Sequence, residues 1–482
     1  MKRLFCCAAA MALGSTTALA IDPFFPGFGN AGIDVQQYTI GLDVDPVAGT
    51  LAGKTQLSVK AERRLVAFML DLRGLTVSSV RVNGLAARFS RNADKLEIVP
   101  AVALAKDSLF LVDVEYAGVP DALPDPTAPG QGLFLGWLKY QKSTYALSEP
   151  VGASTFFPAN DEPTDKATYR FSITVPAGYT GVANGVPRGT VSIGPKTRFH
   201  WAMSQPMTSW LATVHVNKLN LNVAQTASGI PVRTYTPTGT RPSHVAVYAK
   251  AAPMIDYFQT LIGRYPFASY GSIVVQDPIL YYALETQALS TFPEEAGSTN
   301  LPGEDLVAHE LAHQWFGDSV SVAHWEDIWF AEGSATYFEL LWPNRNDPAA
   351  FDAAMRANYD YVAQQQLGPA VVSDPVDLFS ERVYLRGAAA LYALQLKVGK
   401  PKFFRILRTV LRENRGGNIT SALFIKTAVR VSGDSSVRPL LTAWLYDAAV
   451  PGIPGAVARR APVAKPDVVG VRCGRRDAAK RC

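Results

Sequence analysis

Apolar and polar side chains alternate through much of the first part of the chain, over about residues 37–215. Apolar residues take every second position in residues 38–44 and again in residues 169–175. Turns containing Gly or Pro separate such segments, for example at Asn83-Gly84. A period of two is typical of strands with one buried face, so this region is predicted to be an all-β domain of packed sheets.

Further along the chain the spacing of apolar residues becomes helical. Four segments follow it, and each ends at or near a Gly or just before a Pro: residues 244–262, 303–316, 327–342 and 382–398. A strand-like run lies between the first two, at residues 272–275.

These patterns predict a multidomain α+β fold. A β-sheet domain is expected at residues 21–215, followed by a mostly helical domain at residues 216–450. Residues 451–482 are rich in Pro, Ala, Gly and Arg, and are predicted to form a flexible basic tail.

The first twenty residues have the organisation of a cleavable signal peptide. Lys2 and Arg3 form a charged region, residues 4–13 are apolar, and Ala18-Leu19-Ala20 is a small-x-small cleavage site. We therefore expect an exported protein, periplasmic or secreted, whose mature chain starts at Ile21. No membrane span is expected, because the apolar stretch is short and no later segment offers about 20 apolar residues in a row.

Two alternatives remain for this segment: a buried N-terminal helix, or a lipid attached at Cys6 or Cys7. The bulky Phe5 before Cys6 disfavours lipid attachment. Cleavage after Ala20 would leave only Cys473 and Cys482, which either form a disulfide in an oxidising compartment or remain free thiols.

Composition indicates a globular protein, with 48% hydrophobic, 10% aromatic and 18% charged residues. The formal net charge is only +5, and no basic stripe is interleaved with aromatic residues. A nucleic-acid partner is therefore not expected. The sequence does not indicate an oligomeric state.

The strongest chemical signal is the pentapeptide HELAH at residues 309–313. On a helix, residues four apart share one face, so the imidazoles of His309 and His313 can bind one ion. A catalytic zinc site needs a third protein ligand and leaves one position for water. Glu332, eighteen residues after His313 on the next predicted helix, is the best candidate.

Glu310 directly follows the first imidazole, so it flanks the ion rather than binding it. From there it can take a proton from the attacking water and pass it to the leaving amine. Glu339 lies two helical turns beyond Glu332, either as a partner of a metal-bound imidazole or as an ordinary exposed carboxylate. The alternative is a chance pentapeptide on a structural helix. This is improbable, because the whole chain has only six His and two of them occur at this spacing.

The runs HELAHQWFGD (residues 309–318) and DIWFAEGSATYFE (residues 327–339) resemble the zinc signature of peptidase family M1. Further stretches resemble landmarks of that family and occur in its order: Ser148-Glu149-Pro150, Phe157-Pro158, Asp161-Glu162-Pro163, Tyr265-Pro266-Phe267, Ala283-Leu284-Glu285 and Tyr384-Leu385-Arg386-Gly387. The resemblance covers about residues 35–450. It implies a thermolysin-like zinc catalytic domain, in a short form without the large C-terminal helical domain of many members.

The resemblance also implies roles for individual residues. Glu285 and Glu149 would bind the free α-ammonium of a peptide substrate, with Ala283 in the same substrate-binding strand. Tyr384 would donate a hydrogen bond to the oxyanion. In the strand motif the family has Gly, Met and Asn where this chain has Tyr282, Leu284 and Thr286, so no residue preference is inferred.

The predicted function is a zinc aminopeptidase with one Zn²⁺ per chain, acting on peptides with a free N-terminus. A zinc endopeptidase is the first alternative, and an epoxide hydrolase, known in the same family, is the second. A binding module on an inactive scaffold is disfavoured, because His309, Glu310, His313, Glu332 and Tyr384 are all present.

Overall fold

The computed structural model of the protein describes residues 21–294 and 303–454. The predicted signal peptide and most of the predicted basic tail, including Cys473 and Cys482, lie outside the described residues. Among the helices that the structure describes, none combines the length and the apolar character that crossing a membrane requires.

The N-terminal region is built from strands, as the alternating pattern predicts. In chain order they are β1 (Ile33–Asp45), β2 (Thr50–Ala61), β3 (Phe68–Asp71), β4 (Thr76–Val82), β5 (Leu85–Ala86), β6 (Arg88–Asn92), β7 (Lys95–Val99), β8 (Leu109–Gly118), β9 (Leu123–Pro124), β10 (Phe134–Tyr140), β11 (Ser143–Leu147), β12 (Ala167–Pro176), β13 (Thr180–Ala183), β14 (Val186–Ile193), β15 (Lys196–Met207) and β16 (Val214–Asn217).

These strands form three sheets, of eight, five and three strands. The largest has the order β14-β15-β12-β1-β2-β8-β4-β5, and the next has the order β13-β16-β11-β10-β9. In β1, the alternate residues Tyr38, Ile40, Leu42 and Val44 are buried in a core shared with the five-stranded sheet. Alternation of burial follows from the pleat, which turns successive side chains to opposite faces.

The second region is mostly helical. Its elements are β17 (Leu219–Gln225), β18 (Pro231–Pro237), α1 (Pro242–Ala246), α2 (Ala251–Ile262), β19 (Tyr270–Val275), β20 (Ser290–Pro293), α3 (Glu304–His313), β21 (Ser321–Val322), α4 (Trp329–Leu341), α5 (Pro348–Gln365), α6 (Gly387–Val398), α7 (Lys400–Glu413), β22 (Asn418–Ile419), α8 (Ser421–Ser432) and α9 (Val437–Tyr446). Strands β17-β18-β19-β20 form a four-stranded sheet in that order.

The predicted fold class, a β-sheet domain followed by a mostly helical region, is confirmed, but two predicted helices are more irregular than their spacing suggested. The segment 244–262 divides into α1, a 3₁₀ turn at Tyr248–Lys250 and α2. The segment 382–398 begins with a π-helical turn at Arg382–Arg386 before α6.

Direct contacts join the two regions near the end of α3 and the start of α4. The Lys166 ammonium, next to β12, donates to the backbone carbonyls of Asp318 at 2.9 Å and Ser319 at 3.3 Å. At the start of the described chain, the Asp22 carboxylate accepts a hydrogen bond from the backbone N–H of Trp325 at 2.9 Å. The β-sheet region therefore contacts the segment that leads into α4.

Candidate metal and peptide site

The imidazoles of His309 and His313 lie on one face of α3 and meet the Glu332 carboxylate of α4. Glu332 Oε2 is 3.3 Å from His309 Nε2 and 3.4 Å from His313 Nε2. Three such ligand atoms within 4.8 Å of one another can surround one cation. Two nitrogens and one carboxylate oxygen are a donor set that zinc takes in catalytic sites, so these residues fit the expected ion.

The outer nitrogen of each imidazole also has a partner. His309 Nδ1 lies 2.9 Å from the Glu339 carboxylate, and His313 Nδ1 lies 3.1 Å from the backbone carbonyl of Phe316. Glu339 is buried rather than exposed. Donation from Nδ1 to an acceptor leaves the Nε2 lone pair for a metal, which is how ligating imidazoles are usually oriented.

Glu310 lies beside these ligands on α3 and is buried. Its carboxylate Oε2 accepts no hydrogen bond from the described residues. Burial raises the pKa of Glu310 to about 8, although the neighbouring imidazoles oppose that shift. A buried carboxyl group with a free lone pair and a pKa near neutrality is suited to exchange protons with a water molecule.

The charges of the site favour a cation. Burial alone would lower the pKa of His313, but the Glu285 and Glu332 carboxylates outweigh it and raise the pKa to about 9. For His309, burial again lowers the pKa, but hydrogen bonds to Glu332 and Glu339 outweigh it and hold the pKa well above its usual range. Both shifts mean that the carboxylates favour positive charge at the imidazoles. Protons and a metal ion therefore compete for the imidazole nitrogens.

Glu149 and Glu285 approach the same site from two different parts of the fold. Glu149 follows β11 of the N-terminal region, and Glu285 lies between β19 and β20. Ligand oxygens of Glu149, Glu285 and Glu332 lie within 4.8 Å of one another, and all three residues are buried. Burial is the largest of the effects that raise the pKa of Glu285. Ala283 is partly buried in the same segment as Glu285.

Tyr384 reaches the site from the π-helical turn. Its ring stacks on the His309 imidazole, with ring centroids 6.1 Å apart and an interplanar angle of 22°. The turn is anchored by the buried guanidinium of Arg386, which donates to backbone carbonyls of Leu367 and of several residues at the end of α9 and just after it: Ala443, Trp444, Asp447, Ala448 and Ala449. Arg386 therefore ties the Tyr384 segment to the C-terminal end of the described chain.

Seven of the eight residues proposed from the sequence thus lie in one buried cluster, and the eighth, Ala283, lies two residues before Glu285 in the chain. Sequence reasoning did not single out Gln314, a fully buried residue that follows His313 directly and hydrogen-bonds to the Glu285 segment. The sequence did contain a signal for Gln314, because it is a polar residue that directly follows a predicted ligand and precedes aromatic residues.

Two family models match the chain. The Peptidase M1 N-terminal domain matches residues 35–211, and the Peptidase family M1 domain matches residues 247–444.

Curated relatives are similar over part of their length. A glutamyl aminopeptidase of Sus scrofa is 25% identical over 84% of this chain and 46% of its own length. The human glutamyl aminopeptidase is 28% identical over 63% of this chain and 33% of its own length. The chain therefore spans between about a third and about half of the length of these curated relatives.

Solved structures are similar over nearly the whole chain. An M1 zinc metallopeptidase from Deinococcus radiodurans is 30% identical, with a TM-score of 0.83, over 92% of this chain and 100% of that chain. A mutant of the M1 zinc metallopeptidase from the same organism, bound to a Tyr-Ser-Ala substrate, is 29% identical, with a TM-score of 0.83, over 91% of this chain.

Proposed function

This chain belongs to peptidase family M1, and we propose that it is a zinc aminopeptidase that removes residues from the free N-termini of peptides. The observation that carries the proposal is the clustering of Glu149 and Glu285 against Glu332. The clustering supports the proposal because two carboxylates would lie beside the predicted metal position, where a peptide's terminal ammonium would need partners.

His309, His313 and Glu332 would hold one zinc ion. Zinc in such a site supplies Lewis acidity toward water and toward a peptide carbonyl. Glu310 is placed to take a proton from the attacking water and to deliver it to the departing amine. Its buried position and its raised pKa support both halves of this exchange.

Tyr384 would donate its phenolic proton in a hydrogen bond to the oxyanion that develops on the scissile carbonyl. Its ring lies along the His309 imidazole, so its position is defined relative to the ligands. A donor held at a developing negative charge stabilises the transition state more than the ground state.

Glu149 and Glu285 would bind the α-ammonium through charge-assisted hydrogen bonds. An internal peptide segment has no ammonium, so it would forgo these bonds and bury an uncharged group against two carboxylates, at a cost of several kcal/mol. The site would therefore select free N-termini partly by penalising other substrates.

The test is hydrolysis of a panel of aminoacyl 4-nitroanilides by the purified protein, with and without a chelator. We expect activity on free-amine substrates that the chelator removes and added zinc restores. Activity that survives complete removal of metal would contradict the proposal.

We also propose that the protein is exported and that a signal peptide is removed after Ala20. The support is the order of a charged region, an apolar stretch and the small-x-small site at Ala18-Leu19-Ala20.

A further inference from the structure

Gln314 connects the helix that carries the metal ligands to the segment that carries Glu285. Its side-chain nitrogen donates to the backbone carbonyl of Glu285 at 3.0 Å, and its side-chain oxygen accepts from the backbone N–H of Ala288 at 2.7 Å. The Tyr265 hydroxyl donates to the same oxygen at 3.4 Å. Gln314 is completely buried, so these bonds lie away from competing water.

The amide of Gln314 occupies a particular place in the turn. Glu285 and Ala288 are three residues apart, the spacing at which a β-turn closes through a carbonyl-to-N–H hydrogen bond. Here the Glu285 carbonyl and the Ala288 N–H both bond to the Gln314 side chain instead of to each other. The backbone hydrogen bond of the turn forms one residue later, where the Leu289 N–H donates to the Thr286 carbonyl at 2.9 Å. A carboxamide is suited to this position because it offers a donor and an acceptor on one carbon.

Other bonds maintain the shape of the segment without contacting α3. Leu284 and Thr291 exchange two backbone hydrogen bonds of 2.8 Å, and the Asn184 side chain donates to the Gln287 carbonyl at 2.9 Å. Gln314 adds a different constraint, because it follows His313 directly and so fixes where the segment lies relative to the metal ligands.

We propose that Gln314 is a positioning residue that sets the separation between Glu285 and the metal, and so makes the site specific for an amine on the α-carbon. The inference rests on the proposed aminopeptidase function. A substrate whose amine lies one carbon further from the scissile carbonyl would place that carbonyl about 1.5 Å out of position. Misplacement of about 1 Å can cost ~10²-fold in rate.

The test compares L-alanyl and β-alanyl 4-nitroanilide, which are isomers that differ in the distance between amine and carbonyl. The wild-type enzyme should prefer the α-amino isomer by about 10²-fold or more in kcat/KM. In Gln314→Leu, kcat/KM for the α-isomer should fall about 10- to 100-fold and that for the β-isomer much less. The ratio of kcat/KM for the α-isomer to that for the β-isomer should therefore fall by about tenfold or more. Gln314→Glu, which lacks the donor to the Glu285 carbonyl, should narrow the ratio in the same direction.

Gln287→Leu is the matched control. Gln287 belongs to the same turn and is equally buried, but its side chain donates to the Pro206 carbonyl at 3.2 Å rather than bridging to α3. This variant should keep the wild-type ratio. Zinc content and thermal unfolding are measured for every variant, and Gln314→Glu decides the question if Gln314→Leu does not fold.

A folded, zinc-loaded Gln314 variant with an unchanged ratio would overturn the positioning role while leaving the proposed function intact. A wild-type enzyme that cleaves internal bonds and shows no preference for a free α-amine would overturn the proposed function, and this inference with it.

Discussion

At the level of single residues, the site concentrates acidic side chains around two imidazoles. Five buried carboxylates surround two imidazoles: Glu149, Glu285, Glu310, Glu332 and Glu339. Burying several acidic groups together is costly, and such clusters are frequent at functional sites, where a ligand can supply positive charge. A zinc ion and a substrate ammonium would together supply it.

Replacing Glu310 with Ala should separate catalysis from metal binding. If Glu310 exchanges protons with water and does not bind the metal, Glu310→Ala should retain about one zinc per chain and lose ~10²–10⁴-fold or more in kcat. Metal analysis and steady-state kinetics on the same sample check this, with His309→Ala as the variant that should lose the metal. Loss of zinc from Glu310→Ala would show that its role is misassigned.

Replacing Tyr384 with Phe removes one hydroxyl and keeps the ring that stacks on His309. If the hydroxyl acts on the oxyanion, kcat and kcat/KM should fall together and KM should stay nearly constant. Steady-state kinetics with one aminoacyl amide measure both. A change confined to KM would assign Tyr384 to substrate binding instead.

The sequence was sufficient to predict His309, Glu310, His313 and Glu332 as site residues. The first three lie within five consecutive residues of one predicted helix, and Glu332 is a carboxylate on the next predicted helix. It was not sufficient to choose a role for Glu339, since residues two turns apart on a helix can face a neighbouring imidazole or solvent. That choice depends on how the two helices pack, which periodicity does not specify.

Among the elements, α4 carries two functions of the site on one face. Glu332 and Glu339 lie two helical turns apart, so the first meets both imidazoles and the second meets the outer nitrogen of His309. Gly333, next to Glu332, lets α4 approach the start of α6 closely. A Cβ at this position would lie 2.7 Å from the backbone of Gly387.

Gly333→Ala should therefore push apart the elements that carry Glu332 and Tyr384. We expect a loss of about 1–3 kcal/mol in unfolding free energy from overpacking, and a drop in kcat. Chemical denaturation and kinetics test this, with Gly27→Ala as the control, because a Cβ there meets no atom within 4 Å. Equal stability of the two variants would contradict the close approach of α4 and α6.

Some elements that were not predicted were nevertheless visible in the sequence. The buried positions 351, 355, 358 and 362 of α5 have helical spacing, and the buried face of α7 is equally regular. The π-helical turn at Arg382–Arg386 is different, because the apolar pattern of residues 382–398 is that of one continuous helix. Such a turn depends on tertiary contacts, here those of Arg386, and is frequent at functional sites.

At the scale of the whole molecule, the site is complete only when both regions are in contact. Glu149 comes from the β-sheet region, and every other candidate site residue comes from the region that follows it. The contacts of Lys166 with Asp318 and of Asp22 with Trp325 join the two regions close to α3 and α4. Alternating and helical periods predicted the two regions, but their mutual placement required the structure.

The proposed export has a direct consequence for the N-terminus of the mature chain. Removal of the signal peptide after Ala20 should give a mature protein that starts at Ile21, next to Asp22, whose carboxylate accepts the Trp325 N–H. N-terminal sequencing of periplasmic or extracellular material checks this. A mature protein that retains Met1 would refute it.

Two carboxylates beside the metal are proposed to select a free N-terminus, and blocking that terminus shows whether they do. A single good peptide substrate is offered in free and N-acetylated forms to the wild-type enzyme and to Glu285→Gln, and the products are identified by mass spectrometry. We expect stepwise loss of N-terminal residues from the free peptide, almost no cleavage of the acetylated one, and a large drop in kcat/KM for the free peptide in Glu285→Gln. Internal cleavage of the acetylated peptide at a rate similar to that of the free peptide would rule out an aminopeptidase and identify the protein as an endopeptidase.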